Sequence, residues 1–232
     1  MERGLERSYN FSVKSYVVPS SVRTKHLQAK KVCTTPASSA QLEQDTRQQA
    51  KSGRWKEERR LRVTSLNFGV VATRAQWTSK GLKAFTDTKD LGHIALIKYG
   101  TSNEPLAARR YQEVLQTIGH HATVNTCGLL VNPAYPWLGA SPDGIVWHAT
   151  ELGYRILEIK CPYTVRDKTA HGLVAGSFCP EQGESVTRPN GNHDYYAQII
   201  GQMGVSGLSW GDFVVFSKDF MLIERIRRDP SE

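Results

Sequence analysis

The chain has 232 residues, 39% of them hydrophobic and 9% aromatic, enough for a sizeable core, which excludes collagen-like, low-complexity and wholly disordered classes. No apolar run approaches the roughly 18 residues of a membrane span, and Met1 to Arg7 is charged with no apolar stretch behind it, so the chain reads as soluble, unsecreted and intracellular, with nucleus and cytoplasm not separable. The net charge of +8 is unevenly placed: residues 1–62 hold 14 Lys/Arg against 6 Asp/Glu, whereas residues 63–232 hold 16 of each, an asymmetry that points to a polyanionic partner, nucleic acid first.

Residues 1–40 lack sustained periodicity and contain Pro19 and Pro36; they read as a basic, irregular or partly disordered lead-in to a domain over 41–232. Ala40 to Arg62 is polar and made of good helix formers, interrupted at Ser52-Gly53, so one or two helices are expected. Asn67 to Arg74 reads as another short helical turn, and Leu91 to Tyr99 is weakly amphipathic. The clearest helix is Asn103 to Ile118, with Asn103 as N-cap, Pro105 in the first turn, an apolar stripe through Ala107, Tyr111 and Leu115, and Gly119 as its stop.

Three strand-like runs follow: Thr123 to Val131, Trp137 to Trp147 broken at Pro142-Asp143-Gly144, and Tyr154 to Lys160. Thr169 to Gly191, rich in Gly, Pro and Ser, reads as a long loop. A second amphipathic helix is expected over His193 to Ser206, then a hairpin of Asp212 to Ser217 and Phe220 to Ile226 turning at Lys218-Asp219. Helices before and after a run of strands predict an α/β or α+β layered domain.

Asp143 and, fourteen intervening residues later, Glu158-Ile159-Lys160 carry the chemistry. Asp-Gly between apolar runs is commonly a hairpin turn, and Glu-x-Lys a solvated strand face. Here, however, Tyr154 and Ile156 share parity with Glu158 and Lys160, while Leu157 and Ile159 oppose them, so both faces of the strand are largely apolar and the strand reads as buried. Two charges about 7 Å apart on one side of a buried strand are costly unless they serve something. A divalent metal explains them: Asp and Glu are hard oxygen ligands, and a neighbouring Lys can orient water and stabilise charge on a phosphate. Glu104 falls on the apolar stripe of its helix, where the alternative role is a first-turn Glu complementing the dipole. Tyr195, Gln198 and Gln202 form a polar stripe that exposed surface would also explain. His120-His121 reads as a helix end, and the cysteines at 33, 127, 161 and 179 lack zinc or disulfide spacing.

These pieces resemble the phage lambda exonuclease and YqaJ-type viral recombinase nucleases of the PD-(D/E)xK superfamily. The matching segments occur in that family's order: Trp55 with Arg59 and Arg62-Val63-Thr64; Gly100-x3-Glu104-x2-Ala107; Ser141-Pro142-Asp143-Gly144; Leu157-Glu158-Ile159-Lys160-Cys161-Pro162; and Tyr195-Tyr196-Ala197-Gln198. The resemblance implies a restriction-endonuclease-like α/β core with a central mixed sheet flanked by helices. It implies a Mg²⁺ ion, for which Mn²⁺ can substitute, held by Asp143, Glu158 and the Ile159 carbonyl, with Glu104 reaching a second metal position. Lys160 would orient the nucleophilic water, aided by Gln198 with Tyr195 nearby, and Arg59 and Ser141 would hold a 5′-terminal phosphate.

The implied activity is metal-dependent hydrolysis of DNA, 5′ to 3′ from double-stranded ends, in recombination or repair; a structure- or site-specific endonuclease and an inactive nucleic-acid-binding module are the alternatives. Relatives form rings around DNA, which implies a homo-oligomer, and a single-strand annealing protein is an implied partner; no membrane contact is expected. Three departures stand out. The family's Thr-Ala-Ser is Thr64-Ser65-Leu66, so Ser65 would need a shifted register to contact phosphate. The loop after Thr169 is longer than in the phage enzyme. The chain ends at Glu232, where relatives commonly continue into a helix, so a truncated C-terminus is expected.

Overall fold

A computed structural model of the chain describes residue 32 and residues 34–81, 94–167 and 194–228. The lead-in up to residue 31, Cys33, Cys179 and the loop expected over 169–191 lie outside these described residues.

The described chain opens with α1 (Pro36–Asp45), which begins inside the stretch read as lead-in: Thr35 caps it in a reciprocal pair with Ser38, and Pro36 occupies its first turn. After a one-turn 3-10 helix, Gln49–Lys51, come α2 (Gly53–Arg60), capped by Ser52, β1 (Val63–Thr64) and α3 (Phe68–Thr73). Next are α4 (Ala95–Thr117), β2 (Ala122–Asn125), β3 (Leu138–Gly139), β4 (Gly144–His148) and β5 (Gly153–Lys160). The chain closes with α5 (Asp194–Ser206), β6 (Trp210–Phe216) and β7 (Met221–Arg227). Among the described residues, no helix is long and apolar enough to cross a membrane.

Five strands form one mixed sheet in the order β2-β4-β5-β6-β7. All neighbours are antiparallel except β5 and β6, which run parallel because the chain returns through α5 between them. A short parallel pair, β1 with β3, sets Thr64 against Gly139. Strand side chains alternate between faces, so each strand feeds two cores. Val146, Leu157, Ile159 and Val214 meet Ala107, Tyr111 and Leu115 of α4 on one face. On the other, Ile145, Ile156, Phe213 and Val215 meet Ile199 and Met203 of α5. The fold is therefore the central mixed sheet between helices that the sequence implied.

The largest departure from the sequence reading is α4, 23 residues long and starting eight residues before Asn103. Asn103 does not cap it; its amide donates to the Tyr99 carbonyl one turn back at 2.7 Å. Pro105 sits inside the helix. It has no N–H for the Thr101 carbonyl, and because both residues are exposed, water can take that bond. On the opposite face of the sheet, Gly201 of α5 lets α3 dock: a Cβ there would lie 1.9 Å from the Phe68 ring.

A buried ionic group fastens α4 to the sheet. Asp212 accepts from the Tyr111 hydroxyl at 2.5 Å, Arg155 Nη1 at 2.9 Å and Arg225 Nε at 3.1 Å. Both guanidinium groups lie over the Trp210 ring, at 4.2 and 4.5 Å. A fully buried Asp tolerates this position because each oxygen is met by a donor.

Candidate active site

The alternation of β5 turns Glu158 and Lys160 toward α5, at the strand's C-terminal end. Glu158 is 2% exposed, yet it is surrounded by donors. Its Oε1 accepts from Lys160 Nζ at 2.5 Å and Gln198 Nε2 at 2.6 Å, and its Oε2 accepts from Gln202 Nε2 at 2.7 Å. The polar stripe of α5 is thus the buried lid of an acidic site, not a wet surface. Lys160 Nζ also lies 5.1 Å from the centre of the Tyr195 ring, within cation–π range. Burial alone would lower the Lys160 ammonium, but the Glu158 and Asp143 carboxylates outweigh it and hold its proton more tightly than usual.

Asp143 precedes β4, and its Oδ2 accepts from the Ile159 amide at 2.7 Å. In a strand the N–H and C=O of one residue face the same edge, so the Ile159 carbonyl also faces the Asp143 side. Burial, then the charges of Glu158 and Glu104, push the Asp143 carboxyl well above the ordinary range, with Lys160 and the Ile159 amide opposing. Glu104, the tenth residue of α4, stands far from the helix start, which removes the dipole role the sequence left open. Burial raises its carboxyl, the Lys160 charge lowers it and the Glu158 charge raises it again, so the site senses all three acids together. Beside them the Cys161 thiol is pushed up to about 12 by burial and by the Glu104 and Asp143 charges.

This donor set suits a hard divalent cation. Three carboxylates, Glu158 buried and Asp143 and Glu104 half-buried, face a single ammonium, which leaves an excess of poorly solvated negative charge. A carboxylate offers about four lone-pair positions, and the three donors on Glu158 leave one on Oε2. Because Glu158 can only accept, both glutamine amides must turn their nitrogens to it, and this leaves Gln198 Oε1 and Gln202 Oε1 buried without donors. Acceptors stranded beside an acidic group suit water brought in by a cation. Among the described residues, Glu104, Asp143 and Glu158 do not form a group whose ligand atoms all lie within 4.8 Å of one another.

Two of the three phosphate-binding residues proposed from sequence, Arg59 and Ser141, are joined through Trp55. Arg59 lies over the Trp55 ring at 4.1 Å, and Trp55 Nε1 donates to Ser141 Oγ at 2.9 Å. Ser141 therefore accepts from Trp55 while its own O–H remains a donor. Burial lowers the Arg59 guanidinium to about 10, still charged at neutral pH. Ser65, the first residue of the 3-10 turn after β1, is 3% exposed, and Leu66 is 55% exposed. Among the described residues, no hydrogen bond joins Ser65 to Arg59 or Ser141, so the structure does not draw it into the pair.

One further group brings possible ligand atoms within 4.8 Å of one another: His120, His148 and Glu151. His148 ends β4, about 16 Å along the strand from Asp143. Two of its acceptors are already committed: His148 Nδ1 accepts from the Glu151 amide at 3.2 Å and Glu151 Oε1 from Arg225 Nη1 at 3.2 Å. His120, read from sequence as a helix end, is brought there by the pairing of β2 with β4.

The description "YqaJ-like viral recombinase domain" matches residues 54–209. The chain belongs to this family. Every site residue named from sequence, from Arg59 to Gln198, lies within that span. Among solved structures, the YqaJ-like chain is similar to an alkaline exonuclease (LHK-Exo) from Laribacter hongkongensis, with 25% identity and a TM-score of 0.52, covering 78% of this chain and 84% of that one. It is also similar to LHK-Exo in complex with dAMP, with 26% identity and a TM-score of 0.51, covering 75% of this chain and 82% of that one. No curated protein matches it. Sequence reasoning set Gln202 in the polar stripe with Gln198 but gave it no role in this YqaJ-like site, where it lies four residues after Gln198 and fully buried against Glu158. Its signal was the helical spacing itself: residues four apart share a face, so a second amide beside the first belongs to the same lid.

Proposed function

We propose that the chain is a metal-dependent deoxyribonuclease that degrades double-stranded DNA from its ends, 5′ to 3′, in recombination or repair, with Mg²⁺ as its cofactor and Mn²⁺ as a substitute. The observation that carries this reading is the meeting of Asp143, Glu158 and Lys160 at one end of the sheet, with Asp143 bonded to the Ile159 amide. Membership of the YqaJ-like family and likeness to an alkaline exonuclease, one form of which was solved with dAMP, support a nuclease acting on DNA.

Asp143, Glu158 and the Ile159 carbonyl would hold the cation, with Glu104 at a second position; when bound it supplies Lewis-acid polarisation of the scissile phosphate. Lys160, kept protonated by its carboxylate neighbours, donates to the attacking water and to the charge that grows on the phosphate oxygens. Gln198 and Gln202 hold Glu158 with its remaining lone pair free, and Tyr195 supports the Lys160 ammonium from the ring face. The Arg59 fork and Ser141 hydroxyl would bind the 5′-terminal phosphate, which selects the strand end and sets direction. The basic lead-in would add sequence-independent attraction to the duplex. A ring-forming homo-oligomer and a single-strand annealing partner complete the proposal.

An end-labelled duplex assay with and without Mg²⁺, run beside covalently closed circular DNA, tests it. The expected result is release of 5′-nucleotides from the linear duplex only, abolished by EDTA and restored by Mg²⁺ or Mn²⁺. Hydrolysis in EDTA would remove the metal, and equal cutting of closed circles would make the enzyme an endonuclease.

A further inference from the structure

Gln49 lies upstream of residue 54, outside the span matched by the family, and has two unusual properties. It is a non-glycine residue at φ +43°, in the left-handed region that Gly, Asn and Asp enter far more readily. Its backbone is held there from both sides: its N–H donates to the Thr46 carbonyl at 2.8 Å, and its carbonyl accepts from the Ser52 N–H at 2.8 Å. Its side-chain amide then spends both protons on main-chain carbonyls distant in sequence, Cys127 O and Pro142 O, each at 2.9 Å.

The two carbonyls are not equivalent. The segment at Cys127 is fixed to α1: Gly128 N donates to Glu43 Oε1 at 3.0 Å and Leu129 N to Thr46 Oγ1 at 2.8 Å. The approach at Gly128 is so close that a Cβ would lie 1.9 Å from the Glu43 carbonyl. The second carbonyl belongs to Pro142, and its peptide unit is the one that enters Asp143. Gln49 therefore ties the peptide entering Asp143 to an anchored wall, while Trp55 ties the preceding residue through Ser141 Oγ. Backbone strain kept at a position whose side chain bridges two such carbonyls calls for a functional account.

We infer that Gln49 is a positioning residue for Asp143: by clamping the Pro142 carbonyl to the wall at Cys127 it fixes the peptide plane from which the Asp143 carboxylate reaches the divalent cation. This rests on the reading above that Asp143 is a metal ligand. Gln49 touches neither cation nor DNA. Its effect passes through the orientation of the Pro142–Asp143 peptide, in the way that hydrogen bonds behind a ligand set metal affinity.

The test is Mn²⁺ binding to the full chain without DNA, followed by calorimetry, with the melting temperature in EDTA measured for each protein. Gln49→Asn accepts the left-handed backbone but is shorter by about 1.5 Å, too short to bridge both carbonyls. Gln49→Met keeps the length and loses both donors. Both should bind Mn²⁺ about tenfold more weakly than wild type. In the hydrolysis assay, half-saturating Mg²⁺ should rise by a similar factor, with kcat largely recovered at saturating metal. Asp143→Asn should lose the binding. If Asp143→Asn loses Mn²⁺ while both Gln49 variants bind as wild type, the clamp is overturned and Gln49 only braces the fold, whatever their melting temperatures. If Asp143→Asn binds Mn²⁺ as wild type does, the ligand assignment fails first, and the positioning role fails with it.

Discussion

Asp143→Asn should stabilise the metal-free protein while destroying its activity. The replacement is nearly isosteric, and its amide oxygen can keep the 2.7 Å bond from the Ile159 amide. What it removes is a half-buried, poorly solvated negative charge facing Glu158 and Glu104, with Lys160 the compensating cation. Since burial and the Glu158 charge outweigh the attraction of Lys160, the net effect of the ionised carboxylate on the fold is unfavourable. Relief of such functional-site tension is typically worth about 1–2 kcal/mol, and at about 2–4 °C per kcal/mol for a domain of this size the melting temperature in EDTA should rise by about 2–8 °C. The sign with pH follows from the elevated carboxyl. A folded-state value above the ordinary one means that the penalty is absent below about pH 4 and grows as pH rises through that elevated value. The advantage of the variant should therefore be larger at pH 8 than at pH 5, and Mg²⁺ should raise the melting temperature of wild type only. Differential scanning calorimetry in EDTA and in Mg²⁺ at both pH values reads all of this. A variant less stable than wild type at pH 8 in EDTA would refute the charge argument.

Lys160→Ala should lower kcat by about 10²–10³ with little change in Mn²⁺ affinity, since it removes charge stabilisation rather than a ligand; single-turnover kinetics beside calorimetry separate the two. Arg59→Ala should flatten the faster digestion of 5′-phosphorylated over 5′-hydroxyl duplex ends, and a variant that discriminates as wild type does would clear Arg59 of that role. Gly201→Ala should cost about 1–3 kcal/mol by driving a methyl into the Phe68 ring, visible in urea melts, with Mn²⁺ affinity kept. Deleting residues 1–31 removes seven Lys/Arg against two Glu. The slope of log K against log salt should become shallower by about 0.9 for each DNA phosphate that those cations neutralise, and an unchanged slope would assign DNA binding to the domain alone.

The sequence was most legible where burial imposes a period. The alternation of Tyr154 to Lys160 gave β5 to within a residue and put Glu158 and Lys160 on one face, as observed. The start of α4 was misread for a physical reason: residues 95–106 bury no side chain fully, so they show no stripe, while Asn103 and Pro105 imitate a helix beginning. Gln202 looked like exposed surface because a polar stripe facing a buried carboxylate is indistinguishable, residue by residue, from one facing water. The His120, His148 and Glu151 group and the Gln49 bridge depend on pairings far apart in the chain, which local pattern does not encode.

The proline within α4 divides that helix into two halves of unequal hold. Beyond it, Ala107, Tyr111 and Leu115 anchor the helix to the sheet; before it, Leu96 and Ile97 face solvent, and Tyr99 packs edge-on against Tyr163. With one rung of the backbone ladder missing at Thr101, the first half can fray as a separate cooperative unit at lower free energy than global unfolding. In amide hydrogen exchange, residues 96–104 would then lose protection well ahead of residues 107–117. Glu104 sits on that seam, one residue before the proline. Its carboxylate can thus swing away from Asp143 and Glu158 at the cost of a few local amide bonds, leaving the rest of the acidic group in place.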